Sequence, residues 1–234
     1  MNISQKVLAM SLSVSLLGTG ADMSQVAQAH DASHESVIKT DSKAVELRSN
    51  LDMLLSEHAY LAADTMRKGA EGSKDFDESV KSLNMNTKEL SKAIGDVYGK
   101  DAGMEFEKMW SEHIGYFVDY VEASKNNDKD AKQEAKSNLD NYSKEFGAFL
   151  SKATDNQLKS NELADGLGMH VDQLLASFDA YTKGDYKTST MKVREAYAHM
   201  FMPAKGLSNA IVMQNKSDFE MDMPKEMPDT GAQK

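Results

Sequence analysis

From about residue 42 to residue 214 the apolar positions recur every three or four residues, the spacing that lines one face of an α-helix. No stretch in this span alternates with the period of two that marks a strand. The pattern predicts six helices, over roughly 42–69, 75–98, 101–125, 129–154, 160–183 and 186–214. Polar, glycine-bearing breaks separate them: "KGAEGSKD", "YGKDAG", "SKNNDKD", "ATDNQLKSN" and "TKGDYK". Asp75, Asp101, Asp128 and Ser160 stand where helix N-caps belong.

The helices repeat. "LLSEHAYLAADTM" and "MWSEHIGYFVDY" share Ser-Glu-His, and His58, His113 and His170 follow one another at intervals of 55 and 57 residues. Later in each unit "ELSKAIGDVYG", "KEFGAFLSKAT" and "GLSNAIVMQ" occupy matching places. The chain therefore reads as all-α, an up-and-down bundle of six antiparallel helices built from three helical hairpins of about 56 residues.

Each histidine lies on the apolar stripe of its helix. The first stripe runs Leu47, Leu51, Leu54, His58, Leu61; the second Phe106, Trp110, His113, Phe117, Tyr120; the third Leu163, Leu167, His170, Leu174, Phe178. Counting from the turns at Gly72, Asn127 and Gly184 gives their height. His58, His113 and His170 precede those turns by 14 residues, while Asn86, Asn141 and His199 follow them by 14 or 15. At 1.5 Å per residue all six fall about 21 Å from the same end of the bundle.

A buried polar layer must satisfy itself, hold water or bind something, since each unpaired group costs about 1–3 kcal/mol. Neutral imidazole suits copper, zinc, nickel and iron. Met169 beside His170, with Met200 and Met202 beside His199, adds soft thioether donors and favours copper, with zinc or iron behind it. Glu57 and Glu112 sit one step round the helix from their histidines and complete the candidate metal-ligand set. A small-molecule pocket, and a non-catalytic structural or adhesive cell-surface protein whose His/Asn layer only fixes helix register, are the competing readings. On these donors binding is expected to fade below about pH 6, because imidazole titrates near 6.5.

Composition narrows the partners. The net charge of −10, with lysines interspersed among carboxylates, argues against a nucleic-acid partner. With no cysteine, no Gly-x-Ser-x-Gly elbow, no phosphate-cradling loop and no Glu-x-x-His pair, an enzyme is not expected.

The ends add localisation. Lys6, the apolar run Val7–Leu17 and the small residues Ala27 and Ala29 have the layout of a secretory signal peptide, with a mature chain starting at His30. Residues 30–41 are then a flexible start, 42–214 the bundle domain, and 215–234 a disordered, acidic Met/Pro tail. His30 with His34, and Met221 with Met223, are possible weak metal sites in these ends. "MPDTG" at 227–231 resembles the Leu-Pro-x-Thr-Gly sorting signal in part, so a flexible tail is the first reading and cell-wall association the alternative. No later segment has the roughly 20 apolar residues that cross a bilayer.

At "SEHAYLAADTM", "AIGDVYG", "EHIGYFVDY", "KEFGAFL" and "AYAHM" the chain resembles a group of exported all-helical proteins of Gram-positive bacteria, loosely labelled copper-amine-oxidase-like. The resemblance covers most of residues 45–214. It implies a secreted or extracellular location, a helical fold and, through the label, copper.

Overall fold

The computed structural model describes residue 40 and residues 42–220. The predicted signal peptide, His30, His34, Met221, Met223 and "MPDTG" lie outside the described residues. Among those described, every regular element is helical. The helices are α1 Lys43–Glu71, α2 Phe76–Tyr98, α3 Lys100–Lys125, α4 Lys129–Ala153, α5 Ser160–Thr182, α6 Tyr186–His199, α7 Phe201–Gln214 and the five-residue α8 Lys216–Glu220.

Six long helices were expected and seven are present, because the last one breaks at Met200. The cause is Pro203, which has no N–H and whose ring crowds the carbonyl four residues back, that of His199. The helix is interrupted there and resumes as α7. Ser42 and Asp128 cap their helices with side-chain oxygens, and Asp185 does the same for α6. Asp101 and Ser160 lie inside helices capped by Gly99 and Lys159 instead.

The turns at Gly72, Asn127 and Gly184 close in one way. All three residues are left-handed, with φ of 62°, 54° and 77°. In each, the next residue's N–H reaches five residues back: Ser73 to Lys68, Asp128 to Ala123, Asp185 to Ala180. The left-handed residue's own N–H reaches three back, to Gly69, Ser124 and Tyr181. This is the Schellman closure, which satisfies the orphan carbonyls at a helix end. Identical closures after α1, α3 and α5 place the three histidines at matched distances from one end of the bundle.

Helices adjacent in sequence pack side by side, and α1 also touches α3, α5, α6 and α7. Of the long helices only α4 does not pack closely on it, which is why His58 on α1 can meet residues from α3 and α5. Partners such as Leu54–Asn86, Tyr120–Lys132 and Ser177–Ser189 show the neighbours running antiparallel.

The α4–α5 crossing depends on Gly147. A Cβ there would stand 2.8 Å from the Ser160 carbonyl oxygen and 3.0 Å from the Ala164 nitrogen, both backbone. Gly→Ala inside a helix ordinarily stabilises by about 1 kcal/mol. Forcing two backbones apart costs about 1–3 kcal/mol, which outweighs that gain. Gly147→Ala is expected to lower the urea midpoint; an unchanged or higher midpoint would show that the crossing relaxes freely.

Candidate functional site

His58, His113 and His170 converge. Their exposures are 0%, 2% and 3%. The His58 ring lies 5.2 Å from that of His113 and 5.9 Å from that of His170, centroid to centroid. Aromatic rings close the space around them. Trp110 stands 4.7 Å from both His58 and His113, and Tyr142 stacks on His113 at 4.7 Å. Phe106 and Phe146 lie behind Trp110.

The proton positions follow from the donors. The indole N–H of Trp110 can only donate, and it meets Nδ1 of His58 at 3.3 Å. His58 therefore holds its proton on Nε2 and donates it to Nε2 of His113, also at 3.3 Å. That leaves the His113 proton on Nδ1, where the Trp110 backbone carbonyl is near but makes no full hydrogen bond. Neither nitrogen of His170 has a hydrogen-bond partner. The Tyr142 hydroxyl and Oδ1 of Asn86 are likewise buried and unpartnered. This concentration of orphans departs from the rule that buried polar groups are paired.

Burial holds all three imidazoles neutral. His58 is pushed well below the usual histidine range by desolvation and then by His113. Desolvation, with help from His170, brings His113 down to about 3, against a small opposing effect of the Trp110 carbonyl. His170 is lowered well below its normal value by desolvation, then by His58 and His199. Burial, then the nearby Glu112 charge, raises the Tyr142 hydroxyl well above its usual value.

The other sequence-predicted residues are placed differently. His199, half-buried at the end of α6, bonds through Nε2 to the Gly166 carbonyl at 2.9 Å rather than to another imidazole. Met200 is buried at 2%, whereas Met169 and Met202 are 54% and 70% exposed, which puts them outside the buried layer. Asn86 is buried but donates to the Leu54 carbonyl and to Glu57, both at 2.9 Å. Asn141 faces solvent, and its neighbour Tyr142 takes the place it was given. Glu57 and Glu112 are exposed, so no carboxylate stands among the three imidazoles.

Trp110, which the sequence pattern placed on an apolar stripe as packing, and Tyr142, which it did not single out, are the functional candidates it missed. The signal was present for Trp110, which lies three residues before His113 on the same stripe and hence at the height of the layer. Among the described residues, no group of three or more His, Cys, Asp or Glu is gathered as a ready-made metal site. No described helix is long and apolar enough to cross a membrane. The sequence matches no family model, and no curated protein or solved structure matches it either.

Proposed function

We propose that this is an exported, non-enzymatic helical-bundle protein that binds a transition-metal ion through His58, His113 and His170. The observation behind this reading is His170, a fully buried imidazole whose two nitrogens are both uncommitted, beside a second imidazole pair. Two nitrogens bound to one metal at about 2.05 Å and a tetrahedral angle stand about 3.3 Å apart. The His58–His113 separation of 3.3 Å already meets that value. His170 completes the set by a rotamer change toward its neighbours.

Charge favours copper, and in particular Cu(I). Three neutral imidazoles supply no countercharge. The Born cost of burying an ion grows with the square of its charge, so a monovalent ion costs about a quarter of what Zn(II) does. Imidazole suits both metals, so the charge decides between them. The thioether argument for copper is weaker than the sequence suggested, since Met169 and Met202 face solvent. The repeated closure at Gly72, Asn127 and Gly184 supports reading the bundle as three related hairpins, each contributing its own histidine.

A structural layer is the second reading, and the Trp110–His58–His113 chain favours it. That chain is complete at His58 as it stands. Binding metal at His58 Nε2 moves the ring proton to Nδ1, against the indole N–H, and breaks the Trp110 bond. The cost is about 1 kcal/mol, and it provides a signature, because Trp110 is the single tryptophan of the chain.

The test uses the full chain with ascorbate-reduced copper, zinc or EDTA. Cu(I) is expected to raise the Tm and shift the Trp110 indole N–H resonance, with Zn(II) weaker. His113→Ala should abolish both effects. If neither metal moves the Tm or the indole signal, the layer is structural.

A further inference from the structure

A cleft of about 240 Å³ runs along one face of α1, between α2 and α3, from the Gly72 turn to His58. Its walls are mostly apolar, with Ala62, Met66, Leu83, Ile114, Phe117 and Val121 among them. Two features mark it as more than loose packing. The first is Gly69, which lies in the wall. A Cβ there would meet the Phe76 ring at 3.0 Å and Val121 at 3.2 Å, tighter than side chains ordinarily allow, so Phe76 and Val121 pack against bare helix backbone and the wall is tightly built at this point.

The second is Thr65. A buried threonine in a helix ordinarily gives its hydroxyl to the carbonyl four residues back. Thr87 does this to Leu83 and Thr154 to Leu150. Thr65 lines the cleft, is buried, and its hydroxyl has no partner at all. One donor hydrogen and two lone pairs are therefore uncommitted about halfway along an apolar channel. His58 at the deep end offers only its ring, because both nitrogens are engaged with Trp110 and His113.

We propose that this cleft binds a small, uncharged, largely apolar molecule of one or two rings, with a single hydroxyl that pairs with Thr65. The size follows from volume: a buried apolar cavity of about 150 Å³ accommodates benzene, and this one is larger. Neutrality follows from the lining. Thr65 and His58 offer no charge to balance a buried ion, which would be strongly disfavoured. At the mouth Lys74 and Lys125 are matched by Asp77 and Glu122, and Lys125 is already bonded to the Gly69 carbonyl at 3.0 Å. Nothing there selects an anion or a cation.

The experiment measures binding of 1-naphthol and of 1-methylnaphthalene, its hydroxyl-free counterpart, to the full chain by calorimetry in EDTA. Working without metal separates this inference from the metal reading, so either can fail alone. Wild type is expected to bind 1-naphthol more tightly. Thr65→Val should weaken 1-naphthol by roughly three- to tenfold and leave 1-methylnaphthalene unchanged, the range expected for one hydrogen bond. Thr65→Ser should keep the preference. Val118→Phe, at the half-buried lip, should weaken both probes by more than tenfold; Val80→Phe on the facing wall serves if that variant does not fold. The proposal is overturned if neither probe binds, if filling the lip changes nothing, or if Thr65→Val weakens both probes equally.

Discussion

Metal-free protein is expected to lose its fold steeply between pH 6 and pH 4, taking up close to three protons as it unfolds. His58, His113 and His170 all have depressed affinities for a proton in the folded state, caused first by burial. In the unfolded chain each titrates near 6.5. Between that value and the folded value, about 3 for His113, the unfolded chain holds more protons than the native one. Stability therefore rises with pH through this window, is complete above about pH 7, and is lost as pH falls. Three histidines give a slope of about 4 kcal/mol per pH unit, and a cumulative loss of about 6 kcal/mol by pH 5. That is comparable with the whole stability of a typical domain.

Carboxylates titrate lower, near 4, so the window distinguishes the two causes. The lowered Asp75 and Asp185 lose their contribution only in more acid solution. Urea melts at pH 7, 6 and 5 give the slope directly. A stability that stays flat from pH 7 to pH 5 would mean that the imidazoles are hydrated or charged in the fold. The same burial corrects the pH expected for binding. Folded His113 stays neutral down to about 3, so metal binding by the folded protein should persist below pH 6, limited by unfolding rather than by imidazole protonation.

Much of the fold could be read from periodicity. Steps of three and four gave most helix limits to within two residues, because the buried stripes are continuous from cap to cap. The convergence of His58, His113 and His170 was legible too, since counting residues from a turn measures height when every turn closes alike. Height does not give direction round the helix, and there the sequence reading was weaker. Asn141 and Tyr142 differ by one residue and hence by about 100°, which exchanged a solvated amide for a ring stacked on His113. His199 has the right height but points to the Gly166 carbonyl, since the break before Pro203 ends α6 at that residue. Met169 adjoins His170 in sequence and for the same angular reason faces away from it, while Met202 lies beyond the break at Met200, on α7, and is exposed there. That α1 is the shared neighbour of α3, α5, α6 and α7 is a long-range property that no local pattern encodes.

Replacing His170 and replacing His58 should change the stability of the metal-free protein in opposite directions. His58 accepts from Trp110 and donates to His113, so His58→Leu leaves a buried indole N–H and a buried imidazole nitrogen unpaired. Each orphan costs about 1–3 kcal/mol, so a loss of about 2–6 kcal/mol is expected. His170→Leu instead removes two nitrogens that are already unpaired and puts apolar atoms of similar size in their place. The expected result is a gain of about 1–3 kcal/mol, seen as a Tm several degrees higher in EDTA. With Cu(I) present the order should reverse, because the His170→Leu variant gains nothing from the metal while the parent does. A residue retained at a cost to the metal-free fold is what a binding site requires, and a register-fixing layer has no use for it. Should His170→Leu destabilise as much as His58→Leu, His170 is an ordinary member of a structural network, and the metal reading loses its main support.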